Sequence, residues 1–259
     1  MTTLRSSSRP AVAQAFRTLY PLGLLGIAAL LPSLPSMLRP LIALKPEGAP
    51  PLWVLVTLSS VQASVMLAAA VLAGGYAAPR LGLHSRLLQR DGRGLRRDLP
   101  VALPTGLLAG ALVVGLDLLF KPYLGEAWLA AAAQQPRTLA ITVSGLLYGG
   151  LTEELLLRWG VMSVLALALW KAAARRHPQA PAWVSVMALL LAALAFGAAH
   201  LAAVTLYAPL SAVLVARTVL LNALVGVACG WLFFRRSLEA GMLAHAASHV
   251  SLTLLALLA

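Results

Sequence analysis

Charged side chains are scarce in this chain. Only 11% of its 259 residues are Asp, Glu, Lys or Arg, 60% are hydrophobic and the mean hydropathy is +0.86. A soluble domain carries about 25% charged residues, so water is excluded as the main solvent of the fold. Acids are fewer still, 8 against 20 Lys and Arg. Cysteine occurs once, as Cys229 within an apolar run, which excludes a disulfide scaffold. That thiol has no His or Lys within a helical turn to activate it, and no serine elbow is present, which fits chemistry that does not use a serine or cysteine nucleophile. There is no internal repeat, no soluble domain and no low-complexity tract beyond the alanine richness of membrane helices.

What is present is long and apolar. The uncharged runs 52–78 and 182–216 each exceed the ~20 residues that a bilayer crossing needs. Cutting the sequence at its charge clusters predicts spans at 19–38, 52–78, 99–120, 138–170, 182–206, 210–234 and 240–259. The expected fold is an all-α, polytopic integral membrane helix bundle of seven helices, or eight if the fourth segment is split. That segment is too long for a hydrocarbon core of about 30 Å, which predicts a crossing followed by a kinked or interfacial extension after Trp159-Gly160. Pro21, Pro32 and Pro35 weaken the first span, and with no small-residue cleavage site after it the segment reads as retained. The chain thus divides into a cytoplasmic tail (1–18), N-terminal helices with a basic loop at 79–98 (19–136), and a C-terminal unit (137–259).

Fourteen Lys and Arg fall on one set of alternate sides and four on the other, which orients the N-terminus to the cytoplasm and the C-terminus outside. In a bacterial source that membrane is the inner, or plasma, membrane. The net charge of +12 is then a property of the cytoplasmic loops, and no nucleic-acid partner is needed to explain it. In the basic loop, Arg86, Arg90, Arg93, Arg96 and Arg97 alternate with leucines, as either a solvated orientation signal or a segment lying on anionic lipid.

An ionisable group in hydrocarbon costs roughly 2.5 to 3.5 kcal/mol even on a lenient scale. Asp117, Glu153, Glu154, Arg158, His200, Arg217, His245 and His249 therefore mark functional or architectural positions. Asp117 and Arg217, near the outer ends of their spans, form a candidate structural pair. Glu154 and Arg158 stand at i and i+4, so Arg158 neutralises Glu154 on one helical face. Glu153 projects about 100° away with no cation on its own turn, free to act as a general base or to join a buried ion-pair cluster. Phe196 and His200 are one turn apart, separated by small residues that let another helix approach. His245 and His249, also at i and i+4, can offer two ligands to a metal or two donors to an oxyanion. A rise of 1.5 Å per residue puts all three elements in the cytoplasmic half of the membrane.

The ordered triplet Glu153-Glu154-x-x-x-Arg158, Phe196-x-x-x-His200 and His245-x-x-x-His249 resembles the CPBP family, the CAAX prenyl endopeptidases and bacteriocin-processing proteins of the intramembrane protease class. The likeness covers 137–259; the earlier spans match only in being apolar. It implies that Glu153 activates a water shared with His200 while His245 stabilises the oxyanion. His249 stands where the family usually has Asn or Asp. The expected activity is hydrolysis of a peptide bond in a membrane-associated peptide or protein within the bilayer. The alternative is a non-enzymatic transporter or immunity partner that uses the same groups for binding, although the duplicated halves favoured in transporters are not apparent. A metal-free mechanism is preferred; a zinc enzyme would draw its ligands from His200, His245, His249 and Glu153.

Overall fold

The computed structural model describes residues 8–44, 47–134 and 137–258, and among these there is no β-strand. We number the helices α1 (Ser8–Leu30), α2 (Leu34–Leu44), α3 (Leu52–Ala77), α4 (Arg86–Gln89), α5 (Gly92–Phe120), α6 (Glu126–Ala133), α7 (Leu139–Ala173), α8 (Ala182–Ala199), α9 (Leu201–Val204), α10 (Ala212–Arg235) and α11 (Leu238–Ala256). Five of them, α3, α5, α7, α8 with its extension through α9, and α10, are long and apolar enough to cross a bilayer. The pair α1 and α2, bent by 61°, makes a sixth if it counts as one span. With 19 residues α11 is also long enough, but Glu239, His245 and His249 lower its apolarity. This is an integral, multi-pass membrane protein.

The helices differ from the predicted spans at three places. Helix α1 begins at Ser8, so most of the predicted tail is helical and Ala15 lies in the core; positions 1–7 of that tail are outside the described residues. The predicted span 19–38 is interrupted by the turn at 31–33, beside Pro32, where the α1–α2 bend falls. By contrast, no break follows Trp159-Gly160. Helix α7 continues to Ala173 and takes up its length through π-helical turns over Gly145–Glu153 and Leu155–Met162. Such turns often occur at functional sites.

Helix α7 is the hub of the bundle. Thr152 donates to the Gly23 carbonyl of α1 (2.7 Å), and Trp159 Nε1 donates to the Val71 carbonyl of α3 (3.2 Å). Trp159, Leu155 and Met162 are fully buried with Leu67 and Val71 in the main apolar core. On the opposite flank α5 packs tightly along α11, where a Cβ on Gly106 would fall on the Ala244 carbonyl; Gly115, further along α5, faces open space. We therefore expect Gly106→Ala to lower the melting temperature of the detergent-solubilised protein. Gly115→Ala should leave it unchanged or raise it, since a helical glycine costs about 1 kcal/mol relative to alanine. Equal melting of the two variants would contradict this packing.

Buried acids tie part of the basic loop to the bundle. Buried Glu239, on the first turn of α11, accepts from the Ser85 hydroxyl and from the Arg86 (2.7 Å) and Leu87 (3.2 Å) amides at the start of α4. Buried Asp98 accepts from Arg86 Nε (3.2 Å) and Ser237 (2.8 Å). The Gly94 amide, with the Arg86 guanidinium adding to it, holds the Asp91 carboxyl below the ordinary carboxylate range. These acids fasten the loop over the ends of α5 and α11, while Arg90, Arg93, Arg96 and Arg97 remain exposed.

Candidate active site

A cavity of 580 Å³ opens between α5, α7, α8, α10 and α11, and its wall includes Glu153, Phe196, His200, His245 and His249. Glu154 and Arg158 stand behind that wall, almost wholly buried. The two adjacent glutamates thus do different things. Arg158 Nη1 lies 3.0 Å from Glu154 Oε1, and Nη2 donates to the Gly226 carbonyl at 3.1 Å. Glu154 Oε1 also accepts from His245 Nδ1 at 2.7 Å. Glu153 keeps its carboxylate at the cavity, 3.8 Å from His245 Nε2.

The tautomers follow from these partners. A carboxylate only accepts, so the His245 proton on that side is on Nδ1. His200 Nδ1 lies 2.8 Å from the Phe196 carbonyl and must donate to it, which leaves Nε2 as an acceptor in the neutral ring. Phe196 meets both rings edge-on, with centroids 4.7 Å from His200 and 5.8 Å from His245, and the Arg158 guanidinium lies 5.1 Å from its own ring centre. The His245 and His249 imidazoles stack at 5.2 Å with 11° between their planes. They can do so because α7 presents Gly145 and Gly149 to them: a Cβ on Gly149 would come within 2.8 Å of His249 Nε2 and 3.2 Å of His245 Nε2.

Sequence reasoning passed over three residues of the cavity wall, Arg137, Tyr148 and Asn222. Arg137 precedes the fourth span and read as a loop charge. Tyr148 and Asn222 are uncharged and gave no signal among the ionisable residues. The Asp117–Arg217 pair is present at 2.7 Å and belongs to the same wall, with Arg217 also facing the Trp128 ring.

The cavity extends toward the helix ends away from the arginine loop. The cavity wall includes Asp117 and Leu118 near the end of α5 and Leu255 and Ala256 of α11, whereas the arginine loop is fastened to the opposite ends of those helices. Glu153 stands beside His245, in the half of α11 that begins at the arginine loop, and the cavity reaches from there toward the far ends of the helices.

Residues 134–251 match the family model described as type II CAAX prenyl endopeptidase, Rce1-like. This segment, somewhat less than half of the chain, is similar to the CPBP family. All three motif elements of the CPBP pattern lie inside the matched segment, and CPBP proteins of this type are proteases whose substrates are membrane-associated. No curated protein and no solved structure matches the chain.

The donor set for a metal can be judged directly. Among the described residues, the three metal-ligating side chains whose ligand atoms lie within 4.8 Å of one another are Glu154, Cys229 and His245, not a set drawn from Glu153, His200, His245 and His249. Within that trio Glu154 already holds Arg158 and His245, so a dication would have to displace a guanidinium. The residues present do not fit a catalytic zinc site.

Proposed function

We propose that this protein is an intramembrane endopeptidase that hydrolyses a peptide bond of a membrane-associated peptide or protein using a water held by Glu153 and His200. The observation that carries this reading is the convergence of Glu153, His200, His245 and His249 on one cavity, with Glu154 and Arg158 behind them. Glu153 is the carboxylate at that cavity not committed to a guanidinium, and it takes the water's proton as general base. His200 Nε2, bare because Nδ1 donates to Phe196, accepts a hydrogen bond from the same water. As the tetrahedral intermediate forms, His249 and His245 face the developing oxyanion. His245 donates from Nε2 only when doubly protonated, and the Glu154 carboxylate on Nδ1 stabilises that cation. Proton transfer to the leaving amine completes the cleavage. No step requires a metal, so tight chelators should leave turnover unchanged and purified active protein should carry substoichiometric zinc. Stoichiometric zinc whose removal abolishes turnover would overturn the metal-free mechanism.

The fourteen-to-four Lys/Arg distribution supports a cytoplasmic N-terminus and seven crossings, with α11 as the last. Since the cavity extends to the helix ends away from the basic loops, it then opens toward the outer face, and the substrate is a segment reached from that side. Arg93→Cys and Leu118→Cys sit near opposite ends of α5, and native Cys229 is buried. In intact cells an impermeant maleimide should label position 118 and spare position 93 until the membrane is permeabilised. The reverse pattern would overturn the orientation and return the cavity to the cytoplasmic side.

A further inference from the structure

We propose that Arg137 is a positioning residue of this site: its guanidinium fixes His249 as the Nε2–H tautomer, so that a neutral imidazole presents an N–H to the cavity where the family pattern has Asn or Asp. The inference rests on the proteolytic reading above. Arg137 lies just before α7, and its side chain crosses to α11. Nε donates to Thr253 Oγ1 at 2.8 Å, and Nη2 lies 3.0 Å from His249 Nδ1 and 3.4 Å from the His249 carbonyl. Thr253 in turn donates to that same carbonyl at 2.9 Å, so the guanidinium grips α11 at the turn that carries His249. Among the described residues no carboxylate lies within ion-pairing distance of Arg137.

A guanidinium has donors and no acceptor. His249 Nδ1 must therefore accept, and the proton of the neutral ring is on Nε2, the nitrogen that lies against Gly149 beside His245 Nε2. His200 illustrates the alternative that a helix offers an imidazole, in which Nδ1–H bonds the carbonyl four residues back and Nε2 is left bare. If His249 made that choice, two N–H donors would face each other across its contact with Arg137. His245, with its proton on Nδ1 toward Glu154, also has a bare Nε2 while neutral. Of the three imidazoles on the cavity wall, His249 alone offers Nε2–H without taking up a further proton.

The test needs two readouts. In ¹⁵N-histidine spectra of the intact protein in micelles, His249 should be protonated at Nε2, and Arg137→Leu should move the population toward Nδ1–H. The initial rate on an internally quenched peptide library should fall about tenfold or more in Arg137→Leu, part of the ~10²–10³ that a missing oxyanion donor costs. Arg137→Lys, which keeps a donor, should recover most of that loss. His249→Gln carries an amide N–H near the former Nε2 and has no nitrogen at Nδ1 for Arg137 to hold. In that background Arg137→Leu should change the rate by less than about twofold, the coupling expected when two residues act as one unit. An equal loss in both backgrounds would make Arg137 a charge or a scaffold and overturn the proposal, as would Nδ1–H at His249 in the unmutated protein. A library left uncut by the unmutated protein would count against the proteolytic reading instead, and the spectra would still decide the tautomer.

Discussion

Glu153→Gln is expected to lower peptide hydrolysis by about 10²–10⁴-fold, the contribution of a positioned general base, while yield and melting temperature in detergent stay close to those of the unmutated protein. The amide keeps the size and shape of the side chain but cannot take a proton from water. Glu153 is partly exposed to the cavity and holds no guanidinium, so the fold does not depend on its charge. Substrate turnover at the unmutated rate by purified Glu153→Gln protein would remove Glu153 from the mechanism.

Glu154→Gln should have the opposite signature. Its carboxylate is fully buried and is shared by Arg158 and His245, at 3.0 and 2.7 Å. Breaking a buried pair from one side costs about 3 to 5 kcal/mol, because the other charge is left uncompensated, so the yield of folded protein should collapse. Apolar replacement of both partners often restores stability. The double variant Glu154→Leu with Arg158→Met should accordingly recover folding yet stay inactive, since His245 would have lost the carboxylate on Nδ1. An active double variant would show that the Glu154–His245 contact has no part in the reaction.

The helical class and the ionisable residues in and behind the cavity wall were legible because the bilayer makes them so. Apolar length is a direct physical requirement of a crossing, and Glu153, Glu154, His200, His245 and His249 stood out as ionisable groups where hydrocarbon makes them costly. The i, i+4 spacing identified Arg158 as the partner of Glu154. The second partner, His245, was hidden, because that contact joins α7 to α11 and nothing in either segment encodes which helices adjoin. Arg137 was hidden for a related reason: a charge just outside a span reads as a topology signal until a neighbouring helix supplies His249 and Thr253. Glu239 and Asp98 were counted with the loops, although they are buried acids that bind Ser85, Arg86 and Ser237. The continuity of α7 was hidden too, because a π-turned helix takes up residues that seemed to need a break at Trp159-Gly160.

The central claim is that the cavity cuts a membrane-associated chain, and a comparison of membrane peptidomes tests it most directly. Cells producing the unmutated protein and cells producing Glu153→Gln at the same level should differ in at least one membrane-associated peptide or protein terminus. That substrate should accumulate uncut in the variant and appear with a new terminus only when Glu153 is intact. Identical sets of termini in the two membranes, with both proteins folded and equally abundant, would contradict proteolysis and leave the cavity to the binding roles of a transporter or immunity partner.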